Sequence, residues 1–108
     1  MEPSTEDTMT DYLFLMHSDA VEHDVAADAG RWAAYLSTLR ASGRFDGGSS
    51  IGIGHSFRRA GSPSPSSDSL SGYIRIRANH LDEARQFLVG NPVYDAGGTV
   101  EIRELPRD

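Results

Sequence analysis

The chain has 108 residues, of which 38% are apolar, and a formal net charge of −6 with an isoelectric point near 5.0. This length suits a single domain, and the acidic balance disfavours nucleic acid and anionic membranes, whose binders normally present a basic face. The absence of cysteine excludes disulfides, thiolate catalysis and cysteine-ligated metals. Residues 1–10 lack the basic start and apolar run of a signal peptide, and no stretch reaches the length of a membrane span. We therefore predict a cytoplasmic protein with a disordered tail at residues 1–10.

The first predicted strand covers residues 11–17 and is apolar on both faces. Tyr12, Phe14 and Met16 fall on one face, and Leu13 and Leu15 fall on the other. Such a strand belongs in the middle of a sheet, where both faces are covered. Because helices can cover only one face of so small a sheet, we predict that an identical subunit covers the other, forming a homodimer.

This strand ends with a histidine and an aspartate two residues apart. His17 and Asp19 therefore project to the same side of the extended chain. An imidazole oriented by a carboxylate acts as a general base near neutral pH, so we predict both residues as catalytic candidates. The alternative is structural: His17 bonds a backbone carbonyl and Asp19 caps a turn.

A single helix is predicted over residues 22–42, ended by Gly43. Its apolar stripe steps by four and three residues through Val25, Ala29, Trp32, Leu36 and Leu39. Trp32 is the only tryptophan of the chain. Core packing is the first interpretation of this side chain, and stacking on a ligand is the alternative.

The next predicted strand covers residues 51–58. Ile51, Ile53, His55 and Phe57 share one of its faces, while Gly52 and Gly54 on the other face indicate an edge position or the close approach of a ligand. His55 either faces a pocket or ends the apolar row. Residues 60–69 are rich in Ser and Pro, and we predict a flexible surface loop there.

The last third of the chain predicts a strand, a helix and a strand. Ile74 and Ile76 alternate with Tyr73, Arg75 and Arg77 in the first strand. In the helix, Asn79 is the predicted cap, Leu81, Ala84, Phe87 and Leu88 form the predicted buried stripe, and Gly90 ends the helix before Pro92. Alternation returns in the last strand, with Val100 and Ile102 against Glu101 and Arg103.

The predicted element order is βαββαβ, which indicates one α+β domain over residues 11–106 with a ferredoxin-like fold. Its antiparallel four-stranded sheet takes the order 4-1-3-2, with both helices on one face. The face away from the helices then carries Arg75, Arg77, Glu101 and Arg103, and Leu13, Leu15 and His17 are further candidates for it. These side chains either pair charges across a dimer or line a pocket for a small anion.

Several runs, in this order and spacing, resemble the YCII-related proteins, particularly the branch characterised by an Asp-Gly-Pro-Phe motif. The runs are residues 12–19, 72–76, 81–84, 90–94 and 97–106, so the resemblance spans nearly the whole chain. It implies a dimeric ferredoxin-like domain of the dimeric α/β-barrel type. Relatives of that type include small-molecule isomerases, monooxygenases and dechlorinating enzymes.

The chain departs from this family at three places. The family's helix histidine aligns with Trp32, its aspartate before proline aligns with Asn91, and residues 62–68 replace the Asp-Gly-Pro-Phe loop. Tryptophan is not a proton-transfer base and an amide is not a carboxylate, so the family's dyad is absent. We predict instead that Trp32, Asn91 and Tyr94 line a ligand cleft. In the alternative, Asn91 forms hydrogen bonds with the C-terminal end of the helix, and Tyr94 packs against neighbouring side chains.

Two functions follow from these features. The first is a dimeric domain that binds a small metabolite, with anions favoured, at Trp32, His55, Tyr73 and the other candidates named above. The alternative is a cofactor-free isomerase, lyase or hydrolase in which His17 is the base and Arg75 or Arg103 binds substrate charge. No cofactor is predicted, and the four histidines show no metal-ligand spacing.

Overall fold

The structure, a computed structural model, describes residues 9–107. The elements are β1 (Thr10–His17), α1 (His23–Ala26), α2 (Ala29–Ser42), β2 (Phe45–Ser50), β3 (Leu70–Ala78), α3 (Leu81–Gln86), α4 (Pro92–Asp95) and β4 (Val100–Leu105). Met9 is buried and Thr10 pairs with Ala78, so order begins before the predicted first strand. The rest of the predicted tail, residues 1–8, lies outside the described residues.

The four strands form one antiparallel sheet in the order β2-β3-β1-β4, which confirms the predicted ferredoxin-like α+β fold. β1 lies at the centre, where Phe14 pairs with Ile74 of β3 on one side and with Ile102 of β4 on the other. A central strand is covered on both of its faces, which agrees with the apolar residues on both faces of β1.

The hydrophobic core lies between this sheet and the helices, which pack on one of its faces. Its buried members are Tyr12, Phe14, Met16, Tyr35, Leu39, Ile74, Ile76, Ala78, Ala84, Leu88 and Val93. Leu13 and Leu15 lie on the opposite face of β1 and are half-buried in the single chain. We call that opposite face the open face.

The predicted strand over residues 51–58 is wrong, because the edge strand is Phe45–Ser50. β3 starts at Leu70, and the last backbone bond between the two strands joins the Ile51 N–H to the Ser71 carbonyl. Residues 51–69 therefore have no partner strand, and Ile53 and Phe57 are 92% and 90% exposed despite their alternation. The predicted flexibility of residues 60–69 stays a prediction.

The predicted helix over residues 22–42 is divided by a break. α1 ends at Ala26, and α2 starts anew because the Asp28 side chain accepts a hydrogen bond from the Arg31 N–H at 2.9 Å. Gly43, with φ of 74°, ends α2 as predicted. In the described residues no helix has both the length and the apolar character needed to cross a membrane.

The helix after β3 is capped one residue later than predicted. His80, not Asn79, is the cap, and its Nδ1 accepts from the Glu83 N–H at 3.1 Å. Asn79 instead donates through its backbone and its amide to the Glu83 carboxylate, a reciprocal capping arrangement. Leu81 is 50% exposed and does not belong to the buried stripe, which holds Ala84 and Leu88.

Candidate functional site

A cavity of about 830 Å³ lies between α1, α2 and the β2-β3-β1 side of the sheet. Its wall is largely apolar and comprises Met16, Ala20, Ala26, Ala27, Trp32, Leu36, Phe45, Ile74 and Val93. Its polar members are His17, Ser18, His23, Arg40, Ser49, Ser50 and Ser71. A concave, mostly apolar space with a few polar groups is the usual form of a small-molecule site.

Trp32 forms one wall of the cavity and also packs against the core, so its two predicted roles coincide. Its indole Nε1–H donates to the Ala26 carbonyl at 2.7 Å. The ring meets Tyr35 edge-on, with centroids 6.0 Å apart and planes at 72°. These contacts fix the indole plane facing the cavity.

The sheet side of the cavity is formed partly by glycine backbone. A Cβ at Gly48 would lie 2.5 Å from the Tyr73 carbonyl oxygen, and a Cβ at Gly72 would lie 3.2 Å from Met16 Cε. A side chain at position 48 would require the backbone to move, whereas one at position 72 would require its neighbours to shift by a few tenths of an ångström. β2 carries a register shift between Phe45 and Gly48 as it pairs with β3. Neither glycine projects a side chain into the cavity.

His17 is paired with a carboxylate other than the one predicted. Its Nε2 lies 2.9 Å from Glu101 Oε1 on the open face, and Arg103 Nε donates to Glu101 Oε2 at 2.5 Å. The bond from Arg103, followed by that from His17, holds the pKa of Glu101 below its usual value. An ionised carboxylate only accepts, so Nε2 donates its N–H to Glu101 and leaves Nδ1 outside this bond.

Asp19 ties the end of β1 to the start of β4, 80 residues away along the chain. Its carboxylate accepts from the Thr99 hydroxyl at 2.6 Å and from the Thr99 N–H at 2.8 Å. These bonds hold the pKa of Asp19 below its usual value. The geometry corresponds to the structural alternative for Asp19, and the carboxylate hydrogen-bonded to His17 is that of Glu101.

Asn91 is fully buried and caps α4 rather than lining the cavity. Its Oδ1 accepts from the N–H groups of Val93 and Tyr94, at 3.0 and 3.1 Å. Burial raises the pKa of the neighbouring Tyr35 to about 12, and the Asn91 amide opposes part of that rise. Within residues 9–107, however, Asn91 Nδ2 has no partner at hydrogen-bonding geometry, so the amide lies near Tyr35 without a hydrogen bond to it.

The remaining predicted site residues are dispersed. Tyr94 is 51% exposed on α4, and His55 is exposed in the irregular segment after β2. Tyr73 and Arg75 lie opposite Leu15 and Leu13 in the register and so project to the open face, as does Arg103. Tyr73 also borders the cavity. The predicted residues thus lie at the cavity, on the open face, or, in the case of Tyr94 and His55, at neither.

Sequence reasoning missed Arg40, which lines the cavity next to Phe45. Its Cζ lies 5.6 Å from the centroid of the Phe45 ring. The available signal was spacing, because Arg40 follows Trp32 and Leu36 at intervals of four residues on the same helix face.

Comparison with solved structures identifies the fold. The 5-chloro-2-hydroxyhydroquinone dehydrochlorinase TftG from Burkholderia phenoliruptrix AC1100, solved in complex with 2,5-dihydroxybenzoquinone, is 19% identical and superimposes with a TM-score of 0.52. The match covers 89% of this chain and 95% of that one. Protein-family models and curated protein sequences gave no match. The likeness is therefore one of fold over nearly the full length of both chains.

Proposed function

We propose that this chain is a YCII-related protein that binds a small molecule in the cavity between α2 and the sheet. The observation that carries the proposal is the cavity itself, whose volume of about 830 Å³ lies in the range of small-molecule sites. The motif runs named above support the family relationship. A protein of like fold is solved with a small ring compound, 2,5-dihydroxybenzoquinone, which agrees with a ligand of that size.

Trp32 provides a direct test, since it is the only tryptophan and lines the cavity. In a screen of small ring compounds followed by ¹H–¹⁵N NMR, we expect at least one to shift the indole N–H resonance saturably. Replacing Leu36 by Phe should weaken that binding roughly tenfold or more, because the larger ring occupies cavity volume.

Tyr94→Phe is the matched control, because Tyr94 lies outside the cavity and is half-exposed. It should leave the binding isotherm unchanged. If no compound shifts the Trp32 resonance, or if Leu36→Phe binds as well as the parent, the cavity is not a ligand site.

We further propose that the protein acts as a homodimer through its open face. Leu13, Leu15, Tyr73 and Leu105 project from this face and are half-buried in the single chain. Charged side chains from β3 and β4 surround them. A sheet with apolar groups on both faces needs a cover on each, and a second copy supplies one with matching shape and alternating charge.

The second candidate function is cofactor-free acid–base catalysis, with His17 as the base. It is favoured by the His17–Glu101–Arg103 series of bonds, which fixes the imidazole and leaves Nδ1 as acceptor. Glu101 takes the orienting role that the sequence assigned to Asp19.

This alternative is tested on whichever compound the Trp32 screen identifies. Glu101→Gln is expected to move the His17 ring resonances, while Asp19→Asn leaves them nearly unchanged, because the Asp19 carboxylate is bound to Thr99. Catalysis also requires that His17→Gln abolish turnover without changing the binding of the compound. A compound that binds and is recovered unaltered would contradict the catalytic role.

A further inference from the structure

We infer that the cavity selects a small, flat aromatic carboxylate and that the Arg40 guanidinium binds its carboxylate group. This inference rests on the proposed function and adds the chemical class of the ligand. It starts from α2, which presents two different rows of side chains to the sheet. Tyr35 and Leu39 are buried in the core, whereas Trp32, Leu36 and Arg40 line the cavity. The second row thus ends in a cation.

Arg40 differs from most other arginines of the described chain in its surroundings. Arg44, Arg77, Arg85, Arg103 and Arg107 each form an ion pair with a carboxylate. For Arg40, no carboxylate lies within ion-pair distance in residues 9–107, and its recorded contact is the Phe45 ring. Stacking uses the face of a guanidinium and leaves its N–H edge available. That edge matches a carboxylate, which it binds through two parallel hydrogen bonds.

The charge of the cavity is opposite to that of the protein. The chain carries 16 acidic against 10 basic residues, yet the described residues that line the cavity include no aspartate or glutamate. Arg40 and His23 are both among them, the former on α2 and the latter on α1. Arg40 is solvent-exposed, and a guanidinium beside a mostly apolar cavity wall that carries no carboxylate favours an anionic ligand over a neutral one.

The shape of the cavity limits what is attached to the carboxylate. The indole of Trp32 and the side chain of Leu36 form an apolar wall, and the glycine floor at Gly48 and Gly72 has no side chains. Such a wall and such a floor favour a flat ring over a bulky group. Leu36 and Arg40 are one helical turn apart, roughly 6 Å along the axis, so a ring beside Leu36 reaches Arg40 most readily when a short linker carries the carboxylate.

The test uses benzoate, phenylacetate and 3-phenylpropionate as probes of the full chain, with the Trp32 indole resonance as the readout. Benzamide is the neutral counterpart of benzoate, and cyclohexanecarboxylate is its non-planar counterpart. We expect at least one aromatic acid to bind saturably, and both counterparts to bind roughly tenfold more weakly or worse, since each lacks either the charge or the flat ring.

Arg40→Gln should remove the preference for the acid over the amide, and Arg40→Lys should retain part of it because the charge remains without the planar fork. Arg59→Gln is the matched control, since Arg59 is an exposed arginine that is not among the residues lining the cavity. A preference that survives Arg40→Gln, or equal binding of benzamide and benzoate, would overturn the inference while leaving the cavity as a ligand site. The inference is also overturned if none of the aromatic acids binds while a neutral compound shifts the Trp32 resonance. If no compound shifts the Trp32 indole resonance, the proposed function is contradicted as well.

Discussion

Replacing Phe14 by Ala is expected to lower the free energy of unfolding by about 3–5 kcal/mol, the range for large buried aromatic residues. Phe14 is 0% exposed and sits in the central strand, with Ile74 and Ile102 beside it in the register. Removing its ring opens a cavity on the side of the sheet where the helices pack. For a domain of this size such a loss is a large fraction of the total stability. Urea denaturation followed by circular dichroism measures it.

Phe57→Ala makes the same chemical change at a position that is 90% exposed, in the segment after β2. It should change the free energy of unfolding by no more than about 0.5 kcal/mol, as is usual for surface positions. Equal losses in the two variants would mean that residues 51–58 pack in solution, and would contradict the position of β2.

The second large effect is expected on assembly. If the open face is the dimer interface, Leu15→Glu should weaken association roughly 100-fold, about 3 kcal/mol, because each copy then buries an additional carboxylate. Leu15 pairs with Glu101 of β4, so the new charge would also lie beside an existing one of the same sign. Sedimentation velocity over a range of micromolar concentrations measures the change.

Val89→Glu is the control, because it adds the same charge at an apolar residue that is 79% exposed and follows α3. The two variants should have similar stability curves at high concentration, while only Leu15→Glu dissociates. If the unmodified chain itself sediments as one copy at these concentrations, the proposed homodimer is wrong and the open face has another role.

The fold could be predicted where local pattern and long-range pairing agree. β1, β3 and β4 each show a period of two in the sequence. β1 is found within one residue of its predicted bounds, and β3 and β4 contain the alternating residues from which they were predicted. Because β1 is apolar on both faces, it was predicted to lie at the centre of the sheet, and the strand order confirms this. A strand that is buried on both sides is apolar in composition, so such a strand can be recognised from the sequence alone.

The edge strand was not predictable from its own residues. Phe45–Ser50 contains two adjacent glycines and two serines, a composition typical of turns, whereas residues 51–58 alternate like a strand. What decides the pairing is the start of β3 at Leu70, because a strand forms only where a partner lies alongside. The register shift at the glycines then brings β2 into place.

The candidate site was only partly predictable, because it too depends on contacts between residues that are far apart in the chain. Trp32 was named because its residue type and position on a helix stripe are visible locally. The pairing of His17 with Glu101 joins residues 84 positions apart, and no local spacing encodes it. Arg40 was not named, because the sequence does not reveal that this row of α2 side chains lines a cavity.

The hydrogen bond from the Trp32 indole to the Ala26 carbonyl connects the two helices across the break at Asp28. α1 has only four residues, none of them buried, and it packs against α4. Trp32 thus lines the cavity and also joins α1 to α2. We expect a guest that rotates the indole to break this hydrogen bond and so to loosen α1.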